Sequence, residues 1–524
     1  MGPVKIIIAV CLFLPLHLLA QQENVHSRNE MTLDHILKKY VDRFNSLDSE
    51  YVKNYVSNAG AYDWLQQNVP LLECPDSTIE QTYYYRWWTF RKHLKETPDG
   101  FIFTEFITPV KHAGRFNALS CAFGHHVYEG RWLRDKQYID QYIQYWYLKD
   151  VQQKAPRFHQ FSSWAADAVY SRFLVDRDSS FVKELLPAMD ADYRLWETEK
   201  RLSDGLFWQF DVKDGMEESI SGARREKHTR PTISSYMYGN AVALAKMAAL
   251  SGNDTLRTRY VADAQKIRQL VQTKLWDDTA AFFKVRQVVK GTAETRFSNA
   301  REQIGFIPWY FDLPADKAKY AKAWEQLTDT SGFNAPWGLT TAERRHPLFR
   351  SHGSGGCEWD GPVWPFATTQ TLKGLANLLT RYTHKDGMTA AVYYHALQVY
   401  ARSHQKNGEP YLGEYQDERT GYWLKGDDPR SSYYNHSGFC DLVINDLIGI
   451  KPRTDDKLEL YPLIPKGKWD WFYLEGVPYH GRVVSVIWDK TGEKYGKGKG
   501  LRILVNGKEA YKGKELKQVL VKGV

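Results

Sequence analysis

The chain has 524 residues, 43% of them hydrophobic and 25% charged, which is enough for a large buried core and more than one domain. Its formal charge is +8 with the basic residues scattered and no RNA- or DNA-binding motif, so a nucleic-acid partner is not expected. Aromatic residues reach 14%, an excess that serves either a large packed core or a cleft in which ring faces stack on sugar C–H groups.

In chain order, Lys5 precedes the apolar run "IIIAVCLFLPLHLLA" (Ile6–Ala20), which ends on a small residue before a polar stretch. This pattern predicts a cleaved signal peptide over residues 1–20. The run is too short and too early for a membrane span, and no later segment is apolar enough for one. The expected protein is therefore exported, periplasmic or secreted, with no membrane span. Residues 21–78 read as a helical lead-in.

Residues 79–450 read as helix after helix. Apolar residues recur at spacings of three and four, and Gly, Pro, Asn and Asp punctuate the gaps. About twelve helices in consecutive pairs predict a mainly α protein, an (α/α)6 toroid of helical hairpins. Its connections alternate between short turns and long segments: 205–231, 279–299, 332–360 and 407–434. In a toroid, alternate loops open at one end, and long loops are where function usually resides. After Ile450 the pattern changes to short alternating runs with Gly turns, which predicts a small β domain over 451–524. The densest basic run, "GEKYGKGKG" (Gly492–Gly500), falls there and reads as a solvated turn between strands.

Three long segments combine acids with turn residues and aromatics: "FWQFDVKDGMEESISG" (Phe207–Gly222), "CEWDGPVWPFATTQ" (Cys357–Gln370) and "NGEPYLGEYQDERTGYW" (Asn407–Trp423). Two carboxyl groups on opposite sides of an anomeric carbon are what glycosidic hydrolysis requires. One is protonated to release the leaving oxygen and one is ionised, and in the inverting case they stand roughly 6.5–9.5 Å apart, with room for a water. Apolar and aromatic neighbours suit the acid, because they raise a carboxyl pKa.

These segments carry a resemblance. "LWDDTAAFFKV" (Leu275–Val285), "WGLTTAERRHPLF" (Trp337–Phe349), "EWDGPVWPFATTQ" (Glu358–Gln370), "YLGEYQDERTGYW" (Tyr411–Trp423) and "NHSGFCDLVINDLIGI" (Asn435–Ile450) fall in the order of landmarks of the (α/α)6 inverting glycosidases. These are the enzymes related to processing α-glucosidase I of glycoside hydrolase family 63, to trehalase and to mannosylglycerate hydrolase. The resemblance covers roughly residues 79–450. It implies Glu217 as the general acid, where the family pattern has Asp, with Glu218 as the neighbouring alternative. It implies Glu414 as the general base, with Asp417 and Glu418 as near competitors. Asp360 stands where family 63 has Arg and is expected to bind a sugar hydroxyl. Trp359 and Trp364 are expected to form a sugar-stacking wall, and Glu358, Arg230, Trp208 and Trp337 are further candidate substrate contacts.

The implied activity is an inverting glycosidase acting on the non-reducing end of a plant or microbial oligosaccharide, with the α-linked pyranosides of the clan as the model. Water activation by a carboxylate needs neither a metal nor an organic cofactor. A polysaccharide lyase on a similar toroid and a non-catalytic carbohydrate-binding protein are the alternatives, the second because Glu replaces Asp at the acid. His125, His126 and Glu129 in "GHHVYEGRW" lack a further ligand at metal spacing. Cys74, Cys121, Cys357 and Cys440 fit no zinc pattern and read as isolated thiols.

Overall fold

The computed structural model describes residues 33–150, 157–292, 294–353 and 356–524. The expected signal peptide lies outside the described residues.

Two helices of the lead-in, α1 (Asp34–Leu47) and α2 (Ala61–Asn68), precede the toroid. The α1 helix buries Ile36, Leu37, Tyr40, Val41 and Phe44, and the Tyr40 ring stacks on Tyr84 at 5.1 Å. From there the chain alternates between an outer and an inner ring. Outer α3 (Ser77–Lys92) leads to inner α4 (Phe123–Gly130), outer α5 (Gln137–Gln144) to inner α6 (Ala165–Asp176), and outer α7 (Ser179–Lys200) to inner α8 (Pro231–Leu250). Outer α9 (Asp254–Leu270) leads to inner α10 (Ile307–Tyr310), and short outer turns between Ala318 and Thr328 lead to inner α11 (Pro365–Arg381). Outer α12 (Ala390–Ser403) leads to the last inner segment, a helical turn at Phe439–Asp441 that widens into a π-helix at Leu442–Ile448. Each inner helix packs on the next and the last packs on α4, so the ring closes as the expected (α/α)6 toroid.

The sequences of adjacent helices explain their places. Helix α8, "PTISSYMYGNAVALAKMAAL", has small or apolar residues on every side and is buried around nearly its whole circumference. Helix α9, "DTLRTRYVADAQKIRQL", buries only Tyr260, Ala264 and Ile267 and turns its charges to solvent. Asp76 caps α3 by accepting from the Thr78 and Ile79 amides at 3.2 Å. The aromatic excess goes mainly to packing: Trp87, Trp88, Trp132, Trp146, Trp164, Trp309, Trp324 and Trp423 are fully buried.

Connections from inner to outer helices are short, as at 177–178 and 251–253. Those from outer to inner helices are long, as at 93–122, 201–230, 329–364 and 404–438. Every long connection therefore enters an inner helix at its N-terminus, and all open on the same end of the toroid. The positive ends of the inner helix dipoles face that rim, which favours carboxylates there.

The C-terminal region is a β domain, as expected. Strands β4 (Trp471–Tyr479), β5 (Arg482–Asp489), β6 (Gly500–Val505) and β7 (Lys508–Gly513) form an antiparallel sheet. Among the strands that precede them in the chain are β1 (Leu71–Glu73) and the hairpin β2 (Leu94–Thr97) and β3 (Gly100–Phe103). The lead-in is not helical throughout: β1 pairs with β4, Leu72 opposite Leu474, and adds an edge strand to the C-terminal sheet. Three residues carry no local strand signal, and only the partner some 400 residues away makes them one. Among the described residues, no helix is long and apolar enough to cross a membrane.

Candidate active site

The loop from Phe207 to Arg230 positions Glu217 through a buried knot beneath it. Asp214 accepts a 2.7 Å hydrogen bond from the Ser162 hydroxyl, a second from the Thr232 hydroxyl, and a 2.5 Å ion-paired bond from Arg230 Nε. The Met216 amide bonds the Asp211 carbonyl at 3.0 Å, closing the turn. Gly215, at φ +70°, sits in the left-handed region, and a Cβ there would lie 2.6 Å from Cys121 Sγ. Only glycine satisfies both conditions. Glu217 follows, half-buried. Burial pushes its carboxyl up to about 7, and the charges of Glu414 and Asp211 act in the same direction. Glu218, at φ +58°, turns away and places its carboxylate against Gly356.

Glu414 comes from the 404–438 connection and is buried. Its amide bonds the Ser431 hydroxyl at 3.0 Å, and a Cβ at the preceding Gly413 would lie 2.8 Å from the Trp423 ring. Arg430 Nη2 stands 3.3 Å from its carboxylate and Lys425 Nζ 3.8 Å, two cations that complement an ionised group. Cys357 Sγ lies 3.8 Å from Glu414 Oε1 and 3.6 Å from Lys425 Nζ. Burial pushes that thiol up to about 12, and the charges of Glu414 and Glu217 both add to the effect.

A third carboxyl, absent from the sequence reading, joins them. Glu105 follows β3 in "TEFITP" and is buried. Its Oε1 accepts from the Tyr434 hydroxyl at 2.5 Å and its Oε2 from the Ala122 amide at 3.3 Å. Burial raises it to about 7, with Glu414 and Glu217 adding to the shift. Three acids from three rim loops thus feel one another's charge. No local sequence signal marked Glu105: one acid after a short strand looks like any other.

The "CEWDGPVW" segment is a packed wall. Trp359 stacks on Trp364 at 4.5 Å, and Trp364 stacks on Tyr415 at 4.7 Å. Both faces of Trp364 are covered by protein rings and its Nε1 donates to the Glu358 carbonyl at 2.6 Å, so it packs the helix entry instead of stacking on a sugar. Trp359 is 3% exposed and backs the same wall. Asp360 Oδ2 accepts from the His352 amide at 3.0 Å and faces His352 Nδ1 at 2.8 Å. It holds the 349–353 turn, where the Arg350 amide also bonds the Asp360 carbonyl. Glu358 is fully buried with Arg350 Nε at 3.5 Å, and Arg350 also holds Asp417 at 3.1 Å and Glu418 at 2.8 Å. That arginine ties down the two competitors for the base.

Three expected substrate contacts are placed elsewhere. Arg230 is completely buried and committed to Asp214, so it anchors the acid loop instead of reaching the cleft. The Trp208 ring is covered by Lys200 at 4.1 Å and Lys227 at 4.9 Å. Trp337 donates its amide to the Glu418 carbonyl at 3.1 Å and lines a separate apolar cavity with Leu327, Val392 and Val399. Cys74, Cys121, Cys357 and Cys440, the four cysteines among the described residues, are free. His126 Nε2 lies 2.6 Å from the Asn435 carbonyl, while His125 packs on Phe366; among the described residues no cluster of His, Cys, Asp and Glu is arranged to hold a metal ion.

Comparison with known proteins gives the same architecture. Residues 115–437 match the mannosylglycerate hydrolase MGH1-like glycoside hydrolase domain, and residues 452–510 match the C-terminal domain of glycosyl hydrolase family 65. A solved structure named as a sialidase superposes with a TM-score of 0.89 at 48% identity over 93% of this chain, and this chain spans 44% of that one. The GH63 mannosylglycerate hydrolase from Thermus thermophilus, in complex with glucose, superposes at 0.51 with 15% identity over 68% of this chain and 98% of its own. A GH78 rhamnosidase from Bacillus sp. GL1 superposes at 0.58 with 11% identity, over 85% of this chain and 42% of its own. At those identities the last two show the shared fold. With its acids on the rim loops of the toroid and the family match running through them, the chain belongs to the MGH1-like glycoside hydrolases.

Proposed function

We propose that the protein is an exported, exo-acting glycoside hydrolase that works by single displacement with inversion. Glu217 protonates the leaving glycosidic oxygen, and Glu414 takes a proton from the water that attacks the opposite face of the anomeric carbon. The observation that carries this reading is the asymmetry between the two acids. Glu217 is held up to about 7 by burial, whereas Glu414 is flanked by Arg430 and Lys425. Surroundings that differ in this way suit the first group to give a proton and the second to take one. Glu105, buried and bonded to the Tyr434 hydroxyl, adds a third carboxyl whose shift responds to both charges. The apolar leader "IIIAVCLFLPLHLLA" supports export.

The test is a turnover screen of plant and microbial oligosaccharides followed by proton NMR in real time, with wild type beside Glu217→Gln and Glu414→Gln. Inverted product from wild type, with a rate loss of about 10²–10⁴-fold in each variant, is the expected result. A retained anomer, or full activity in both variants, would sink the reading.

A further inference from the structure

The C-terminal β domain carries a charge that the toroid does not. Residues 451–524 hold sixteen Lys and Arg against nine Asp and Glu, so this one-seventh of the chain supplies +7 of its +8 formal charge. Much of the excess meets at one corner of the sheet. Arg502 on β6 and Lys512 on β7 are directly opposite in the strand register. Gly500 and Gly513 approach so closely that a Cβ on Gly500 would strike the Gly513 carbonyl, and this brings the end of the glycine-lysine loop against Lys514. The preceding loop alternates, Gly496-Lys497-Gly498-Lys499-Gly500, and all three glycines take positive φ. Arg502 Nε donates to the Gly498 carbonyl at 3.4 Å, which folds that loop onto the strand.

Lys497, Lys499, Lys512 and Lys514 are exposed, and none forms an ion pair among the described residues. Arg502 is paired with Glu509. Like charges set opposite each other in a sheet destabilise it, and lysines on the edge strand β7 serve to block edge-to-edge association. Edge protection and the Arg502–Glu509 pair leave Lys497 and Lys499, in the preceding loop, without a structural role of this kind. The glycines strip the loop of every other side chain and leave the ammonium groups uncovered.

We infer that this corner is a docking surface for an acidic polysaccharide, in which Lys497, Lys499, Arg502, Lys512 and Lys514 meet the carboxylates of a uronate-containing chain. The choice of a glycan among polyanions rests on the hydrolase reading of the toroid, with which the domain forms one compact unit. A basic surface carried on the same compact unit as a glycosidase tethers an acidic substrate chain to the enzyme and raises its local concentration.

The experiment is affinity electrophoresis of the full chain through gels containing polygalacturonate or neutral amylose, repeated with a Lys497→Gln/Lys499→Gln/Lys512→Gln/Lys514→Gln variant. Wild type should be retarded by polygalacturonate and not by amylose, and a rise from about 50 to about 300 mM NaCl should weaken retardation at least roughly ten-fold. The variant should lose retardation at an unchanged melting temperature. Equal retardation of wild type and variant, equal retardation by amylose, or tighter binding to phosphatidylglycerol vesicles or duplex DNA than to polygalacturonate would overturn the assignment. Glu414→Gln should be retarded like wild type, so a failure of the hydrolase reading and a failure of the docking surface register in different measurements.

Discussion

Arg230 Nε lies 2.5 Å from Asp214 Oδ2, neither side chain reaches solvent, and Glu217 follows three residues later. The pair is a strut. It fixes the start of α8 to the turn that carries the proposed acid, so an error there is transmitted to the chemistry. Removing one partner strands the other charge in the core, at a cost of about 3–5 kcal/mol. Asp214→Asn and Arg230→Met should each lower the denaturation midpoint accordingly. In whatever fraction stays folded, kcat should fall by more than KM changes, because the acid is displaced and the substrate surface is not. A purely structural role would leave kcat per folded molecule intact.

Gly215→Ala tests the same loop from the other side. The new methyl would meet Cys121 Sγ and would also hold an L-residue at positive φ. Together these are expected to cost about 2–4 kcal/mol and most of the activity. Gly215→Ala with Cys121→Ala removes the collision and leaves the backbone term of about 1 kcal/mol. The double variant should therefore unfold at higher urea than the single one, and equal midpoints would show that the thiol is not the obstacle.

The proposed acid should set the alkaline limb of the rate profile. With its carboxyl held up to about 7, Glu217 is protonated below that pH, and kcat/KM should fall about tenfold per unit above it. A limb that starts near the ordinary value of 4.5 would mean that the loop does not shield the group.

Glu105 adds a stability signature. Its carboxyl is raised from 4.5 to about 7 in the folded protein, so its contribution is fully present below about 4.5 and is lost as pH rises through about 7. Wild type should lose on the order of 2–3 kcal/mol between about pH 5 and 8.5 from this group. Glu105→Gln should remove that slope, gaining on wild type at the alkaline end and not at the acid end in urea titrations. Because the Glu414 charge raises both neighbours, Glu414→Gln should lower the apparent values of Glu105 and Glu217 together in a carboxyl ¹³C titration.

Much of the site was legible in the sequence because its segments are locally distinctive. The family resemblance singled out Glu217 in "DGMEESISG" and Glu414 in "YLGEYQDERTGYW". The pairs Asp-Gly and Gly-Glu dictate where the backbone bends, and that information is local. Glu105 was not legible, because its role comes from Tyr434 and Glu414, more than 300 residues away. Arg230, Trp364 and Trp208 were legible as polar or aromatic residues near the rim. Which way each side chain faces is set by a distant partner: Asp214 for the first, Tyr415 for the second and two lysines for the third.

The periodicity of the helices, their pairing and the change to alternating strands after Ile450 are properties of the sequence by itself, since hydrophobic spacing determines which faces must be buried. The order of long and short connections is also written in the sequence, and with it the end of the toroid on which the acids collect. Tertiary structure alone decided which acids meet and which carboxyl is buried enough to keep its proton. It also recruited Leu71–Glu73 into a sheet with β4 and drew the lysines of β7 beside the glycine-lysine loop. Those outcomes depend on through-space repulsion, desolvation and pairing between residues remote in the chain.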